Sequence, residues 1–435
     1  MARTNSGCEL FGAPSIIALL YHTAERGTEA DATDGMECVV SYTYATHLEC
    51  SLTGESHDIG RLQGLSAAGK PLLARYDLAA LRREVTREQI ATRAPDLWRW
   101  HELLPIPARA KEVRLGEIET PLIPLARSER PAGFRPPLVK DEGRLPTGSF
   151  KARGLCIAVT MAAVHGVRRV AIPTNGNAGA AMAAYAARAG MEAFCFCPED
   201  TPEINLSEIA LQGARVWRVN GLINDCARLV AAGKAQHGWF DMSTLKEPYR
   251  IEGKKTMGLE LAEQFDWHLP QVVFYPTGGG TGLIGMWKAW QELTELGWLE
   301  GPLPRLVAVQ ASGCAPIVRA FDSGAETATP WENAHTCAAG IRVPAALGDF
   351  LILRALRASR GFALAVPDEQ IEAARAQVAA ADGLLLSPEG AATYAAYLEA
   401  ASTRRIEPTD EVVLFNCASG LKYPMPEVTQ RMSVA

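Results

Sequence analysis

From about residue 137 onward the chain alternates between short apolar stretches of strand length and longer stretches with helical spacing. Nothing else in the sequence restricts the fold so tightly. Strands are expected at 169–173, 192–197, 215–219, 272–275, 305–310 and 411–416. Helices are expected at 151–165, 178–189, 203–211, 223–237, 249–265, 283–296, 368–380 and 390–403. Strands that alternate with helices pair in parallel, because each crossover returns the chain to the end of the sheet where the previous strand began. The expected class is therefore α/β, with doubly wound, mostly parallel sheets covered by helices on both faces. In such folds ligands sit beyond the carboxyl ends of the strands, so the loops that follow strands are where chemistry should be sought.

Upstream the pattern differs. Residues 1–35 show neither period and are expected to form a poorly ordered extension. Residues 36–80 carry short apolar runs broken by turn signals such as Thr53-Gly54 and Ala68-Gly69-Lys70, which read as a small β-rich lobe. A charged helical stretch is expected from 78 to about 94, followed by a connection broken by Pro105, Pro107, Pro121 and Pro124. With 435 residues the chain has room for two or three domains.

Charge and apolar content exclude several classes of function. Lys and Arg number 43 against 49 Asp and Glu, with no basic run, so nucleic acid is not an expected partner. Apolar runs fall far short of a membrane span. Pro14 to Tyr21 is apolar but lacks the basic flank and cleavage site of a signal peptide, and a cytoplasmic location is expected. Ten scattered cysteines include no C-x-x-C pair, so neither a zinc ribbon nor a dithiol redox site is written here. Cys195 and Cys197 would share one face of a strand, where buried small apolar residues are the expected reading.

Four loops carry residues suited to chemistry. In Leu145-Pro146-Thr147-Gly148-Ser149-Phe150-Lys151-Ala152-Arg153-Gly154 a lysine stands between a turn and an Ala-rich helix. A nucleophilic lysine needs a depressed pKa, which burial and nearby cations supply. Alone, Lys151 reads as a surface lysine at a helix start. The other loops change that reading. Pro173-Thr174-Asn175-Gly176-Asn177-Ala178-Gly179 follows a strand, opens a helix and offers amide donors. Pro276-Thr277-Gly278-Gly279-Gly280-Thr281-Gly282 also joins strand to helix, and its glycines let backbone N–H groups approach an anion at a helix N-terminus. It is neither G-x-G-x-x-G nor a P-loop, so dinucleotide and triphosphate chemistry do not fit. A fourth loop, Cys417-Ala418-Ser419-Gly420-Leu421-Lys422, ends the last strand. A lysine for a Schiff base, an amide donor and a phosphate cradle are what pyridoxal phosphate requires.

With these motifs the chain resembles the fold-type-II pyridoxal phosphate enzymes, and within them the threonine synthase family, over roughly residues 48–425. Ser149-Phe150-Lys151 is similar to the family's Schiff-base motif, Asn177 to its asparagine beside the cofactor ring hydroxyl, and Gly278, Gly279, Gly280, Thr281 and Gly282 to its phosphate loop. Cys417 stands where the family usually has Thr against the pyridine nitrogen. Pro248-Tyr249-Arg250-Ile251-Glu252-Gly253-Lys254 resembles the segment facing substrate phosphate, so the resemblance implies a phosphate clamp at Arg250, with Thr174 and Asn175 facing substrate. In that fold 36–115 forms the small lobe and linker helix, 150–265 the smaller α/β domain, and 116–149 plus 266–428 the larger, cofactor-holding one. The small lobe resembles a Cys-ribbon whose cysteines are largely gone: Thr53, Ser66 and Ala68 stand near their usual places and Cys50 remains, so no metal is expected. The implied activity is conversion of O-phospho-L-homoserine and water to L-threonine and phosphate, by a homodimer.

The same residues leave other readings open. Ala152 replaces a common Asp, and Ser-Phe-Lys-x-Arg-Gly is shared with threonine or serine dehydratases and ammonia-lyases, which give a 2-oxo acid and ammonia. Against these stand the N-terminal lobe, the absence of His after Asn177, and a chain end that leaves no room for a regulatory domain. A β-replacement synthase acting on another phosphorylated amino acid, or a sensor that kept the pocket, are further alternatives. Asn175 and Asn177 also read as loop or cap residues, Cys417 as a buried strand end and Arg250 as a salt-bridge partner. Ser387-Pro388-Glu389-Gly390 resembles a family loop at the substrate entrance, but a helix cap is the expected role.

Overall fold

The computed structural model describes residues 44–427 together with Met432. The expected extension at 1–35 and the start of the small lobe lie outside the described residues. Next comes a three-stranded antiparallel sheet of β1 (Ala45–Cys50), β2 (Ser56–His57) and β3 (Leu72–Tyr76), in the order β2-β1-β3. Leu48, Leu72 and Ala74 bury one face of it with Ile59. Cys50 and two of the positions compared with ribbon cysteines come together here. The Cys50 thiol donates to Ser66 Oγ at 3.1 Å, and Thr53 N donates to Cys50 Sγ at 3.5 Å.

The single helix expected at 78–94 is instead two, α1 (Leu78–Glu84) and α2 (Arg87–Ala91). The break is local chemistry. Thr86 and Gln89 form a capping box, Thr86 Oγ1 accepting from Gln89 N while Gln89 Oε1 accepts from Thr86 N, and this starts a new helix.

Two larger sheets follow. One has four parallel strands, β6 (Arg169–Pro173), β7 (Glu192–Pro198), β8 (Arg215–Val219) and β9 (Phe240–Asp241), in the order β8-β7-β6-β9. The other has six, in the order β12-β11-β10-β13-β5-β4, with β4 (Leu122–Pro124) alone antiparallel. Its parallel members are β5 (Leu138–Asp141), β10 (Val272–Pro276), β11 (Arg305–Ala311), β12 (Phe362–Val366) and β13 (Val412–Asn416). The helices between them are α3 (Lys151–Val164), α4 (Asn177–Ala189), α5 (Glu203–Leu211), α6 (Ile223–His237), α7 (Tyr249–Gln264), α8 (Thr281–Leu296), α9 (Pro316–Asp322), α10 (Asp349–Ala358), α11 (Asp368–Asp382) and α12 (Pro388–Ser402).

The inner strands β10, β11 and β13 of the six-stranded sheet are buried on both faces, which is why they read as nearly continuous apolar runs. Val273, Tyr275 and Val413 point into one core with Leu283 and Ile352, from α8 and α10. Their neighbours Val272, Phe274 and Val412 point into another with Ile371 and Tyr394, from α11 and α12. The four-stranded sheet does the same: Val170, Ile172 and Cys195 pack with α3 and α4, and Ala171 and Phe194 with Val230 of α6.

Helix α7 lies between α3 and α8 and is buried from Tyr249 to Ala262. Glycines permit this. A Cβ on Gly253 would sit 1.9 Å from Arg153 O, and one on Gly285 would sit 2.9 Å from Lys254 Cβ, so backbones touch at both crossings. The polar residues of α7 are paired. Arg153 of α3 donates to Glu142 Oε2 at 2.6 Å and to Glu260 Oε1 and Oε2 at 2.5 and 2.7 Å, and Lys140 Nζ reaches Glu260 at 2.8 Å. Burial alone would raise the Glu260 carboxyl, yet these cations hold it well below the usual carboxylate range.

Candidate active site

The loops singled out in the sequence converge on one cavity of about 280 Å³. Topology brings them there. β10 lies between β11 and β13, and β6 between β7 and β9, so in each sheet the strand order runs one way from that strand and then returns to its other side. A crevice opens at such a switch point. The loops after β6, β9, β10 and β13 all border the cavity.

Lys151, Thr174, Asn175, Asn177, Gly278, Gly279, Gly280, Thr281 and Cys417 line it, whereas Gly282 and Arg250 do not. Lys151 is the first residue of α3. The residue before it is pinned to the β13 loop, because Phe150 N donates to Cys417 O at 2.9 Å. Lys151 Nζ stands 4.3 Å from the Phe150 ring centroid. Burial, and then the charge of Arg250, bring its pKa down to about 8. Lys254 adjoins the same ring, with Nζ 3.8 Å from its centroid and donating to the Phe150 carbonyl. Its own pKa is driven well down, by burial and then by Lys151 and Arg250.

The glycine loop is shaped by what a side chain would strike. A Cβ would meet Val343 Cγ2 at 2.9 Å from Gly278, Thr244 Cγ2 at 2.9 Å from Gly279 and Ile352 Cδ1 at 2.2 Å from Gly280. Gly280 also has φ +73°, which other residues adopt only at a cost. The loop opens α8, whose free N–H groups and dipole favour an anion. Gly282 acts behind the lining: a Cβ there would sit 1.8 Å from Tyr275 Oη, so its absence lets α8 settle on Tyr275.

Asn177 Nδ2 donates to Tyr423 Oη at 3.0 Å, and Asn175 Nδ2 to Ala339 O at 3.1 Å. The Oδ1 atoms of both are buried with no hydrogen-bond partner among the described residues. Thr174 spends its hydroxyl on the loop itself, where Oγ1 accepts from Gly176 N at 3.0 Å and Gly179 N at 2.9 Å. The Cys417 thiol is pushed up to about 12, chiefly by burial, so it stays neutral at physiological pH. Arg250 is 1 % exposed and engaged from behind, with Nη1 donating to Met242 O at 2.8 Å and backbone N to Glu247 Oε2 at 3.1 Å. Burial raises Glu247 to about 7 against the pull of Arg250. The guanidinium expected to clamp an anion therefore lies outside the lining.

Other lining residues were not foreseen. Ser243, Thr244 and Lys246 follow β9, a strand of two residues that leaves no periodic signal. The motif visible in the sequence begins at Pro248, just past them. Tyr423 was also missed. Glu389 performs two jobs: its helix has the expected cap, Ser387 Oγ accepting from Gly390 N at 3.1 Å, and Glu389 itself lines the cavity with Oε1 accepting from Gly340 N at 2.6 Å. Among the described residues no three His, Cys, Asp or Glu side chains stand together as metal ligands.

The family model described as pyridoxal-phosphate dependent enzyme matches residues 113–418. A threonine synthase of Methanocaldococcus jannaschii is 31% identical over 376 residues, covering 86% of this chain and 92% of the relative. One from Methanosarcina acetivorans is 33% identical over 350 residues, covering 80% and 85%. The chain belongs to the threonine synthase family of pyridoxal-phosphate dependent enzymes. Among solved structures, a processed threonine deaminase, isoform 2, from Solanum lycopersicum superposes with a TM-score of 0.59 at 20% identity, over 69% of this chain and 79% of that one. An L-serine ammonia-lyase from Rhizomucor miehei gives 0.56 at 20% identity, over 71% and 95%. Both are likenesses of fold. The fold is type II, and the protein is a pyridoxal phosphate-dependent lyase of the threonine synthase type.

The residues present fit that cofactor. The cradle at Gly278–Gly280 has room only while it lacks side chains, and Asn177 keeps an unpartnered oxygen beside the lysine-bearing cavity. Lys151 is an amine of lowered basicity, suited to nucleophilic attachment.

Proposed function

We propose that the enzyme converts O-phospho-L-homoserine and water to L-threonine and phosphate. The observation that carries this reading is the convergence of Lys151, the Gly278–Gly280 loop and Cys417 on one cavity, in a chain whose relatives of that name align over most of their length.

Pyridoxal phosphate, when bound, supplies the electron sink that makes an amino acid's Cα proton removable and its γ-substituent able to leave. Lys151 would hold it, and the N–H groups of Gly278, Gly279, Gly280 and Thr281 would take its phosphate at the start of α8. Freed for proton transfer, the Lys151 amine is a base whose pKa of about 8 suits work near neutrality, removing a proton at Cα and delivering one further along the chain. Cys417 keeps a neutral group at its end of the cavity, where a carboxylate would favour a different distribution of charge. Ile341, Val343 and Leu347 give the cavity an apolar wall.

A second reading, dehydration of a hydroxy-amino acid, is favoured by one observation: Arg250 is committed to Met242 and Glu247. The test offers O-phosphohomoserine, threonine and serine separately to the holoenzyme. Phosphate release with threonine formation supports the first reading, and a 2-oxo acid with ammonia from threonine supports the second. We further propose a cytoplasmic homodimer, the four-stranded sheet with α3–α7 forming the smaller domain and the six-stranded sheet the larger.

A further inference from the structure

We propose that Lys246, anchored by Asp241, receives the anionic end of the substrate; this rests on the reading above that the substrate is a phosphorylated amino acid. Among the described residues that line the cavity only Lys151 and Lys246 are cationic, and only Glu389 is anionic. Lys151 is committed to the cofactor, and Arg250 lies behind the lining, so Lys246 is the remaining positive group that can touch a ligand there.

Its placement is specified by its surroundings. Asp241 ends β9, the strand beside β6, so its loop shares a wall with the Thr174–Asn175 loop. Asp241 is 8% exposed and holds both sides of the turn: Oδ1 accepts from Ser243 N at 2.9 Å and from the Ser243 hydroxyl, and Oδ2 accepts from Lys246 Nζ at 3.1 Å. An ammonium carries three donors, so two remain for a ligand. Between them, Leu245 is buried with φ +66°, a left-handed conformation that strains a residue bearing a side chain. The strain is held by packing: Leu245 joins the core of the six-stranded sheet, and the turn at that point hands Lys246 to the cavity. Thr244 flanks it there with a hydroxyl, a donor suited to phosphate or phosphonate oxygens, while Ser243 spends its own on Asp241.

The test is calorimetric titration of the holoenzyme with L-2-amino-5-phosphonopentanoate, a phosphonate that cannot lose its anion, and with L-norvaline, the same carbon chain without one. Wild-type protein is expected to prefer the phosphonate by about tenfold or more. Lys246→Met should abolish the preference while leaving norvaline affinity and the cofactor absorbance in place, and Lys246→Arg should keep most of it. Lys246→Gln, closer in polarity, repeats the measurement should the Met variant misfold. A preference that survives both neutral variants overturns the assignment of Lys246 and leaves the phosphorylated substrate standing. No preference in wild-type protein removes that substrate reading, and the role of Lys246 with it.

Discussion

Replacing Gly253 by alanine sets two effects of opposite sign against each other. In an exposed helix the change would stabilise by about 1 kcal/mol, because alanine loses less backbone freedom than glycine. Here the new methyl would stand 1.9 Å from Arg153 O, 2.7 Å from its carbonyl carbon and 2.8 Å from Gly154 Cα. The obstacles are all backbone of α3, so no rotamer change relieves them. Ordinary contact would require α3 and α7 to separate by about 1.5 Å. Overpacking a core costs about 1–3 kcal/mol where side chains can move, and more where they cannot. The same displacement pulls Arg153 from Glu260 and Thr256 across the crossing, and breaking a buried pair costs about 3–5 kcal/mol. The clash wins, and a net loss of about 3 kcal/mol or more is expected. Urea denaturation of cofactor-free protein, followed by tryptophan fluorescence, measures it. A variant as stable as wild type, or more so, would refute the backbone-to-backbone crossing.

Three further outcomes are expected. Arg153→Met strands Glu142 in the core and leaves Glu260 with Lys140 alone, and should cost about 3–5 kcal/mol in the same denaturation assay. Lys151→Met should eliminate the cofactor's lysine-dependent absorbance yet make the apoprotein melt higher at pH 7, since a buried ammonium is no longer carried. A lysine lowered to about 8 in the fold from 10.5 binds fewer protons folded than unfolded between those values, so wild-type stability rises there and the variant's advantage fades as pH climbs from about 8 to 10.5. Cys417 should resist iodoacetamide in folded protein at pH 8, and Cys417→Asp should lower kcat far more than Cys417→Ser, as absorbance and steady-state rates will show.

Much of the fold was legible because its inner strands are buried on both faces and many of its helices are bounded by loops with glycine or asparagine. The strand expected at 169–173 and the helices expected at 203–211 and 223–237 match β6, α5 and α6. What escaped was short or ambiguous. β4 and β5 lie amid prolines that suggest a broken connection, and β9 has two residues. Phe362–Val366 is an apolar run between Gly361 and Pro367 that no period distinguishes from loop. In the cavity, glycines and the lysine announced themselves by composition. Lys246 did not, because a lysine in a turn looks like any solvated charge until the sheet beside it is known. Arg250 shows the converse: its motif was visible, but its direction depends on Met242 and Glu247.

The two sheets contribute to the cavity unequally. The loops after β10 and β13 bring the glycines and Cys417, and those after β6 and β9 bring Thr174, Asn175 and Lys246. The division is not complete, because Thr244 of the β9 loop packs against Gly279 and Asn177 stands after β6. Under the assignment proposed above, a substitution at 174, 175 or 246 would alter what the cavity admits and leave the glycines and Cys417 in place.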